Sequence, residues 1–269
     1  MNPPGEYSLY IHVPFCRSFC DYCDFYSVLE SGDLPERYVD TLTEDARRLF
    51  EEFPPRRVPT VYIGGGTPSV LGAGAMGRLL GALGELLPPD GGREWTVEAN
   101  PESLDGEFLR ICRDAGVNRL SLGIQTFSPR IREKLHRRGG TERLSLAAEL
   151  FPGAFSVDLL TGLPGQDRAL LLGDIERALS FKPAHVSLYA LSLEEGTPLW
   201  ERAAELPSRD RADRLWISGR DALERSGYAQ YEVSNFCLPG KESRHNLRYW
   251  GMQNWLALGP SGSGTLIDD

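Results

Sequence analysis

Short apolar, β-branched runs recur along the chain, and each is followed by a longer stretch whose apolar positions repeat at helical spacing. The runs are SLYIHV (8–13), TVYIGG (60–65), WTVEAN (95–100), RLSLGIQ (119–125), FSVDLLTG (155–162) and HVSLYAL (185–191). Between them lie PERYVDTLTEDARRLFEEF, AMGRLLGALGELL, DGEFLRICRDAG, TERLSLAAELF and RALLLGDIERALSF. This alternation predicts a parallel sheet built from βαβ units. Near-continuous apolar strands predict burial of both sheet faces under helices. Asp105 and Thr141 are the expected N-caps of two helices, and Gly116 is the expected terminator of the first. A later helix, SRDRADRLWISGRDALERSG, leads into YAQYEVSNF, while EEFPPRRVP and LLPPDGGRE read as proline-rich loops inside one domain.

Six strand–helix units fit either a doubly wound sheet or an incomplete barrel, and both gather ligands at the carboxyl ends of the strands. The glycine-rich and polar punctuation falls at those ends. PFC follows the first strand, GGGTP the second, EANP the third, GIQTF the fourth and DLLTGLPGQ the fifth. One site assembled from many loops is the expectation.

Composition narrows the function classes. With 269 residues, of which 41% are hydrophobic, the chain can bury one large α/β core. A net charge of −9 argues against a general nucleic-acid surface. No window reaches the ~18 consecutive apolar residues of a membrane span. The stretch MNPPGEYSLYIHVPF lacks the basic-then-apolar pattern of a secretory signal. Five cysteines, three of them clustered, suit metal binding in a reducing compartment better than a disulfide framework, so a cytoplasmic protein is expected.

Cys16, Cys20 and Cys23 form C-x-x-x-C-x-x-C directly after the first strand. Thiolates suit iron–sulfur clusters, zinc or copper(I). Structural zinc needs a fourth ligand, and His12 is the nearest further donor, though it lies within a strand. A 4Fe–4S cluster with one iron left open for a small molecule uses three cysteines naturally.

This cysteine loop resembles the defining motif of the radical S-adenosylmethionine (SAM) superfamily. The resemblance implies a partial (β/α)6 TIM-like barrel with outer helices, a 4Fe–4S cluster on Cys16, Cys20 and Cys23, and SAM chelated at the open iron for one-electron cleavage. Further stretches are similar to the coproporphyrinogen-III-oxidase-like branch: YIHVPFC, VYIGGGTPSVL, VEANPESL, NRLSLGIQTF, VDLLTGLPGQ, HVSLYALSLEEGTPL, GYAQYEVSNFCLPG and RHNLRYW. By that resemblance Tyr10, the glycine motif (Gly64, Gly65, Gly66 and Thr67) and Glu98 contact SAM. Gln125, Arg137 and Asp158 fall where the oxidase holds a second SAM. Tyr22 either stacks on a ligand or packs, and Arg137 could equally belong to a solvated basic run, KLHRRGG. Glycines without side chains let the backbone approach a charged amino-acid moiety closely.

Two departures from the oxidase favour the heme-chaperone (HemW-like) members of the branch. Phe25 stands where the oxidase carries a further cysteine, and only nine residues precede Tyr10. The H-N-x-x-Y-W motif of that group is supplied by His245, Asn246, Tyr249 and Trp250, which implies heme binding near His245. Cys237 is a second soft donor nearby or a packed thiol. The implied partners are heme or a porphyrin, a heme-acceptor protein, and an electron donor if SAM is cleaved. The alternative is oxygen-independent coproporphyrinogen III oxidation or a related radical SAM reaction. Residues 1–250 are expected to form the barrel domain. Residues 251–269 are expected to begin a C-terminal region whose family domain is missing, and Gly262 and Ser263 stand where the resemblance implies Ala and His.

Overall fold

The computed structural model describes residues 5–137 and 140–267. The six expected strands form as β1 (Ser8–Val13), β2 (Thr60–Gly65), β3 (Glu94–Ala99), β4 (Arg119–Gln125), β5 (Phe155–Thr161) and β6 (His185–Ala190). Three shorter strands follow, β7 (Ala229–Gln230), β8 (Asn235–Cys237) and β9 (Trp255–Leu258). They make one sheet in the order β9-β1-β2-β3-β4-β5-β6-β8-β7. Every pairing from β9 through β6 is parallel, and β8 and β7 add antiparallel. The sheet is therefore open, a partial barrel rather than a closed one. The boundary expected at residue 250 falls just before β9, which joins the sheet beside β1.

The strands do not bury two apolar faces, and the expectation that they would is corrected. They alternate with a period of two. Leu9, Ile11, Val61, Ile63, Val97, Leu122, Val157 and Leu188 point one way into the core. Ser8, Thr60, Thr96, Ser121, Ser156, Ser187 and Asn235 are buried and polar on the other side. The apolar face packs under α1 (Leu34–Glu52), α2 (Gly72–Leu86) and α3 (Gly106–Asp114), and then under α5 (Leu144–Leu150), α6 (Arg168–Ser180) and α7 (Arg209–Arg225). Each buried Leu, Ile or Val contributes about 1.5–3 kcal/mol. Much of the inner face survives burial because its groups pair with one another, while Thr96 Oγ1 and Asn235 Oδ1 have no hydrogen-bond partner among the described residues. Thr60 donates to Ser8 (2.7 Å), Ser121 donates to Asp158 (3.1 Å), and Ser156 meets His185 (2.8 Å).

Helix ends follow local chemistry. The Asp105 carboxylate accepts from the Phe108 N–H at 2.7 Å, as an N-cap should, and Gly116 takes a left-handed φ of 96° just after α3. Thr141 is not a cap: α5 starts at Leu144, after a turn in which the Thr141 carbonyl accepts from Leu144 N–H. A short helix absent from the sequence expectation, α4 (Pro129–Lys134), starts at a Ser–Pro pair, with Ser128 accepting from Ile131 N–H. The last helix, α8 (Arg244–Trp250), lies at the amino-terminal end of the barrel, where its Arg244 and His245 N–H groups donate to the Glu94 carboxylate at the start of β3. No helix among the described residues is long and apolar enough to cross a membrane.

Candidate functional site

The carboxyl ends of the strands open into one cavity of about 780 Å³. Cys16, Cys20, Cys23 and Tyr22 line it from the loop after β1, and Gly65, Gly66 and Thr67 from the turn after β2. Glu98, Gln125 and Asp158 line it from β3, β4 and β5, and Arg137 from the segment after α4. The structure thus gathers eleven of these sequence-derived candidates. Tyr10, Gly64 and His245 do not reach the lining.

All five cysteines are free, and the three of the loop are half-buried. Their sulfurs are already held by donors. Thr67 Oγ1 lies 3.6 Å from Cys16 Sγ, and Arg137 Nη1 donates to Cys20 Sγ at 3.4 Å. Arg137 also donates to Tyr22 (3.1 Å), to Asn100 Oδ1 (2.9 Å) and to the Gly123 carbonyl, while Asn100 Nδ2 donates to Thr67 (2.9 Å). One chain of hydrogen bonds therefore runs from Cys16 through Thr67, Asn100 and Arg137 to Cys20. Burial pushes the Cys16 and Cys23 thiols upward, so ligation must displace their protons. Burial alone would lower the pKa of Arg137, but Tyr22 and Cys20 beside it raise it. Arg137 is accordingly part of the thiolate environment rather than of a solvated basic run.

The donor set fits a 4Fe–4S cluster better than zinc. His12, the fourth donor a zinc site would need, is committed elsewhere: its Nδ1 pairs with Tyr10 (3.1 Å) and its Nε2 with the Tyr26 carbonyl (2.9 Å). A charge-assisted donor on one sulfur and a hydroxyl on another are what stabilise thiolates bound to iron.

The glycine turn is shaped by close backbone approach. Gly65 adopts φ 113°, and a Cβ there would meet the His12 ring at 2.8 Å. A Cβ on Gly66 would lie 2.8 Å from the backbone of Pro14 and Phe15. Glu98 sits beneath this turn, accepting from Tyr62 (2.6 Å) and from the Gly65 N–H (3.2 Å). Burial is the main force pushing Glu98 up to about 7, with Asp158 adding to it and the two hydrogen bonds opposing. Burial likewise raises Asp158, against hydrogen bonds from Ser187 and Ser121. Gln125 has a left-handed φ of 65° at a register shift in β4, backbone strain of the kind that collects at ligand sites.

Tyr10 lies one layer below the cavity, stacked on Tyr62 at 6.2 Å. His245 is deeper still, 1% exposed. Its Nδ1 pairs with Thr60 (2.7 Å), its Nε2 with Tyr249 (2.6 Å), and its ring stacks on Tyr62 at 5.1 Å. Burial, helped by Arg248, holds its pKa down at about 3. Both nitrogens are spent, so this geometry does not offer His245 to heme iron. Of the motif, Trp250 is exposed and Tyr249 is turned inward. Cys237 is buried, a packed thiol.

Sequence reasoning missed Asp21, the residue between Cys20 and Tyr22. Its buried carboxylate accepts from Arg202 Nη1 (2.6 Å) and from His136 Nδ1 (2.8 Å), and its backbone N–H donates to the Leu135 carbonyl (3.1 Å). Leu199 N–H in turn donates to the Asp21 carbonyl (2.9 Å). The cysteine loop is thereby pinned to two distant segments. An acidic residue inside a thiolate loop, where like charge is unfavourable, was the available signal.

The sequence matches the Radical SAM superfamily over residues 10–181. It is 40% identical to the heme chaperone HemW of Lactococcus lactis over 96% of this chain and 69% of that protein. Against HemW of Escherichia coli the identity is 37%, again covering 96% and 69%. Against the mitochondrial radical S-adenosyl methionine domain-containing protein 1 of Bos taurus it is 38%, covering 97% of this chain and 61% of that one. The fold superposes on coproporphyrinogen III oxidase (HemN) of Escherichia coli with a TM-score of 0.86 at 23% identity, over 98% of this chain and 65% of that one. The chain belongs to the radical SAM superfamily, and within it to the HemW heme-chaperone family.

Proposed function

We propose that this protein is a heme chaperone, which holds a 4Fe–4S cluster, SAM and heme and passes the heme to an acceptor protein. The observation that carries the reading is likeness to HemW across nearly the whole barrel, joined to a cavity lined by three free thiols. In this reading Cys16, Cys20 and Cys23 hold the cluster, which supplies an open iron position and single electrons. Gly65, Gly66 and Thr67 present backbone and hydroxyl groups to the amino-acid end of SAM, and Glu98 faces its positive charge. Arg137 holds the Cys20 thiolate and orders Tyr22 and Asn100 around it. Phe25, exposed at the cavity mouth where the oxidase would place a cysteine, offers an apolar face. Thiols kept free for a cluster suit a cytoplasmic setting. An electron donor is required only if SAM is cleaved.

Anaerobic reconstitution with iron and sulfide, followed by separate additions of hemin and SAM, tests the reading. Expected are an iron–sulfur spectrum, hemin retained through gel filtration, and transfer of that heme to an apo-acceptor. Consumption of coproporphyrinogen III with SAM and a reductant would instead support the oxidase reading, which Gln125 and Asp158 in the same cavity favour.

Glu98 makes SAM affinity depend on pH. A carboxyl that titrates at about 7 in the folded protein is mostly protonated at pH 6 and mostly ionised at pH 8. Cationic SAM pairs with the ionised form, so its affinity is expected to rise about tenfold across that interval. Calorimetric titration of the reconstituted protein checks this, and Glu98→Gln should flatten the profile. The linkage to folding has the opposite sign. A carboxyl raised from 4.5 to about 7 favours the native state at low pH, and that contribution is lost as pH rises through about 7.

A further inference from the structure

Arg137 is buried, yet among the described residues no carboxylate accepts a hydrogen bond from it. Its acceptors are the Cys20 sulfur, the Tyr22 hydroxyl, Asn100 Oδ1 and the Gly123 carbonyl, and its Nε has no partner among those residues. Taking a guanidinium out of water is costly, and neutral acceptors offset only part of that cost. Solvent would reclaim this side chain unless its backbone were held in place.

Asp21 holds it. The Asp21 N–H donates to the Leu135 carbonyl (3.1 Å), and its carboxylate accepts from His136 Nδ1 (2.8 Å). Arg202 closes the clamp. Its Nη1 donates to the same carboxylate (2.6 Å) and to the Lys134 carbonyl (3.0 Å), while Nε and Nη2 donate to Glu205. Residues 134–136, directly before Arg137, are thereby fixed at each position. His136 takes φ 49°, a left-handed conformation that persists where surrounding contacts over-determine it. Because Asp21 follows Cys20 in the chain, one residue sets the place of both the sulfur and its donor. The same residue meets the cavity wall. Its carbonyl accepts from Leu199 N–H (2.9 Å), just after the lining residues Gly196, Thr197 and Pro198. Charge alone would not select an acidic side chain here, beside three thiolates.

We infer that Asp21 is a positioning residue of the cluster, which with Arg202 keeps the Arg137 guanidinium on the Cys20 sulfur and ties that contact to the cavity wall. This rests on the assignment of the cluster to Cys16, Cys20 and Cys23. A charged donor on a ligating sulfur favours the more negative, reduced cluster and so raises its reduction potential. A carboxylate acting only through its charge lowers that potential. Removing the Asp21 charge therefore has two opposed effects: lost positioning lowers the potential, and lost negative charge raises it.

The test is a redox titration of the reconstituted protein followed by electron paramagnetic resonance, without SAM. Asp21→Asn is introduced alone and in an Arg137→Gln background. Alone it should lower the potential, in the same direction as Arg137→Gln and by a comparable amount. In the Arg137→Gln background it should cause no further fall, because the donor to be positioned is already gone. Arg202→Gln leaves the cysteine loop itself unaltered and serves as the second variant, with a fall expected alone and a much smaller one in the Arg137→Gln background. Iron and sulfide content is measured for each protein. A potential that rises or stays put in Asp21→Asn, or one that falls equally in both backgrounds, overturns the inference. Loss of the cluster from Asp21→Asn and Arg202→Gln but not from Arg137→Gln overturns it too, since Asp21 would then hold the loop rather than the donor. Failure of the unmodified protein to take up iron and sulfide overturns the cluster assignment, and this inference with it.

Discussion

Gly66→Ala is expected to lower SAM affinity on the order of 10- to 100-fold and to reduce cluster loading, while Gly74→Ala leaves both unchanged. The reason is what each added methyl would meet. At Gly66 it would lie 2.8 Å from the Phe15 carbonyl oxygen and from the Pro14 carbonyl, backbone atoms directly preceding Cys16. Backbone cannot swing aside as a flexible side chain can. The Gly66 N–H also donates to the Val13 carbonyl at 2.8 Å, tying the glycine turn to the end of β1. The methyl must therefore push the turn away from the cysteine loop, parting Thr67 from Cys16 and withdrawing the backbone proposed to face SAM. Overpacking of this kind costs about 1–3 kcal/mol, and each 1.4 kcal/mol is roughly tenfold in a binding constant. At Gly74, within α2, nothing lies within 4 Å of the added atom, and alanine is the better helix former. Iron and sulfide analysis with calorimetric SAM titration of the two variants separates a local clash from any general cost of replacing glycine.

The strands were legible because their period is short and their boundaries carry glycine, proline and polar punctuation. RLSLGIQ occupies the same residues in sequence and structure. Also legible was the convergence of the cysteine loop, the GGGT turn and the carboxylates of β3 and β5, because parallel strands deliver their carboxyl ends to one rim. The polar inner face was present in the sequence as well. In SLYIHV every second residue is Ser8, Tyr10 or His12, yet tyrosine and histidine pass for core residues when alternation is not counted. What could not be read was pairing across long separations. Asp21 and Arg202 lie 181 positions apart, and His245 meets Thr60 across 185. Arg137 illustrates the same limit. Within KLHRRGG it is one cation among several, and only the fold shows it turned onto Cys20 and Tyr22. A motif supplies the residue types, whereas the use of each lone pair is decided by what the fold brings beside it.

His245→Ala is the substitution expected to cost the fold most while leaving heme ligation untouched. It removes a buried ring stacked on Tyr62 and strands the Tyr249 hydroxyl paired with it at 2.6 Å, while Thr60 loses one of its two partners and keeps Ser8. Each buried polar group left without a partner costs about 1–3 kcal/mol, and the lost packing adds to that, for a total of about 3–5 kcal/mol. At about 2–4 °C per kcal/mol for a domain of this size, the thermal midpoint should fall by roughly 10 °C. Tyr249→Phe strands only the Nε2 side and should cost about 1 kcal/mol. The pH dependence carries a sign that distinguishes the role. Burial lowers this imidazole from 6.5 to about 3 in the native state, so the neutral ring's contribution is fully present above pH 6.5 and is lost as pH falls through about 3. Stability of the unmodified protein should therefore decline more steeply with acid than that of His245→Ala, as measured by denaturant unfolding over that interval. A free iron ligand behaves in the opposite way: removing it costs little stability and abolishes the heme signature. A small midpoint change together with loss of histidine ligation would return His245 to the iron. A large midpoint change with the ligation signature intact makes it the residue that fastens α8 to the base of the barrel.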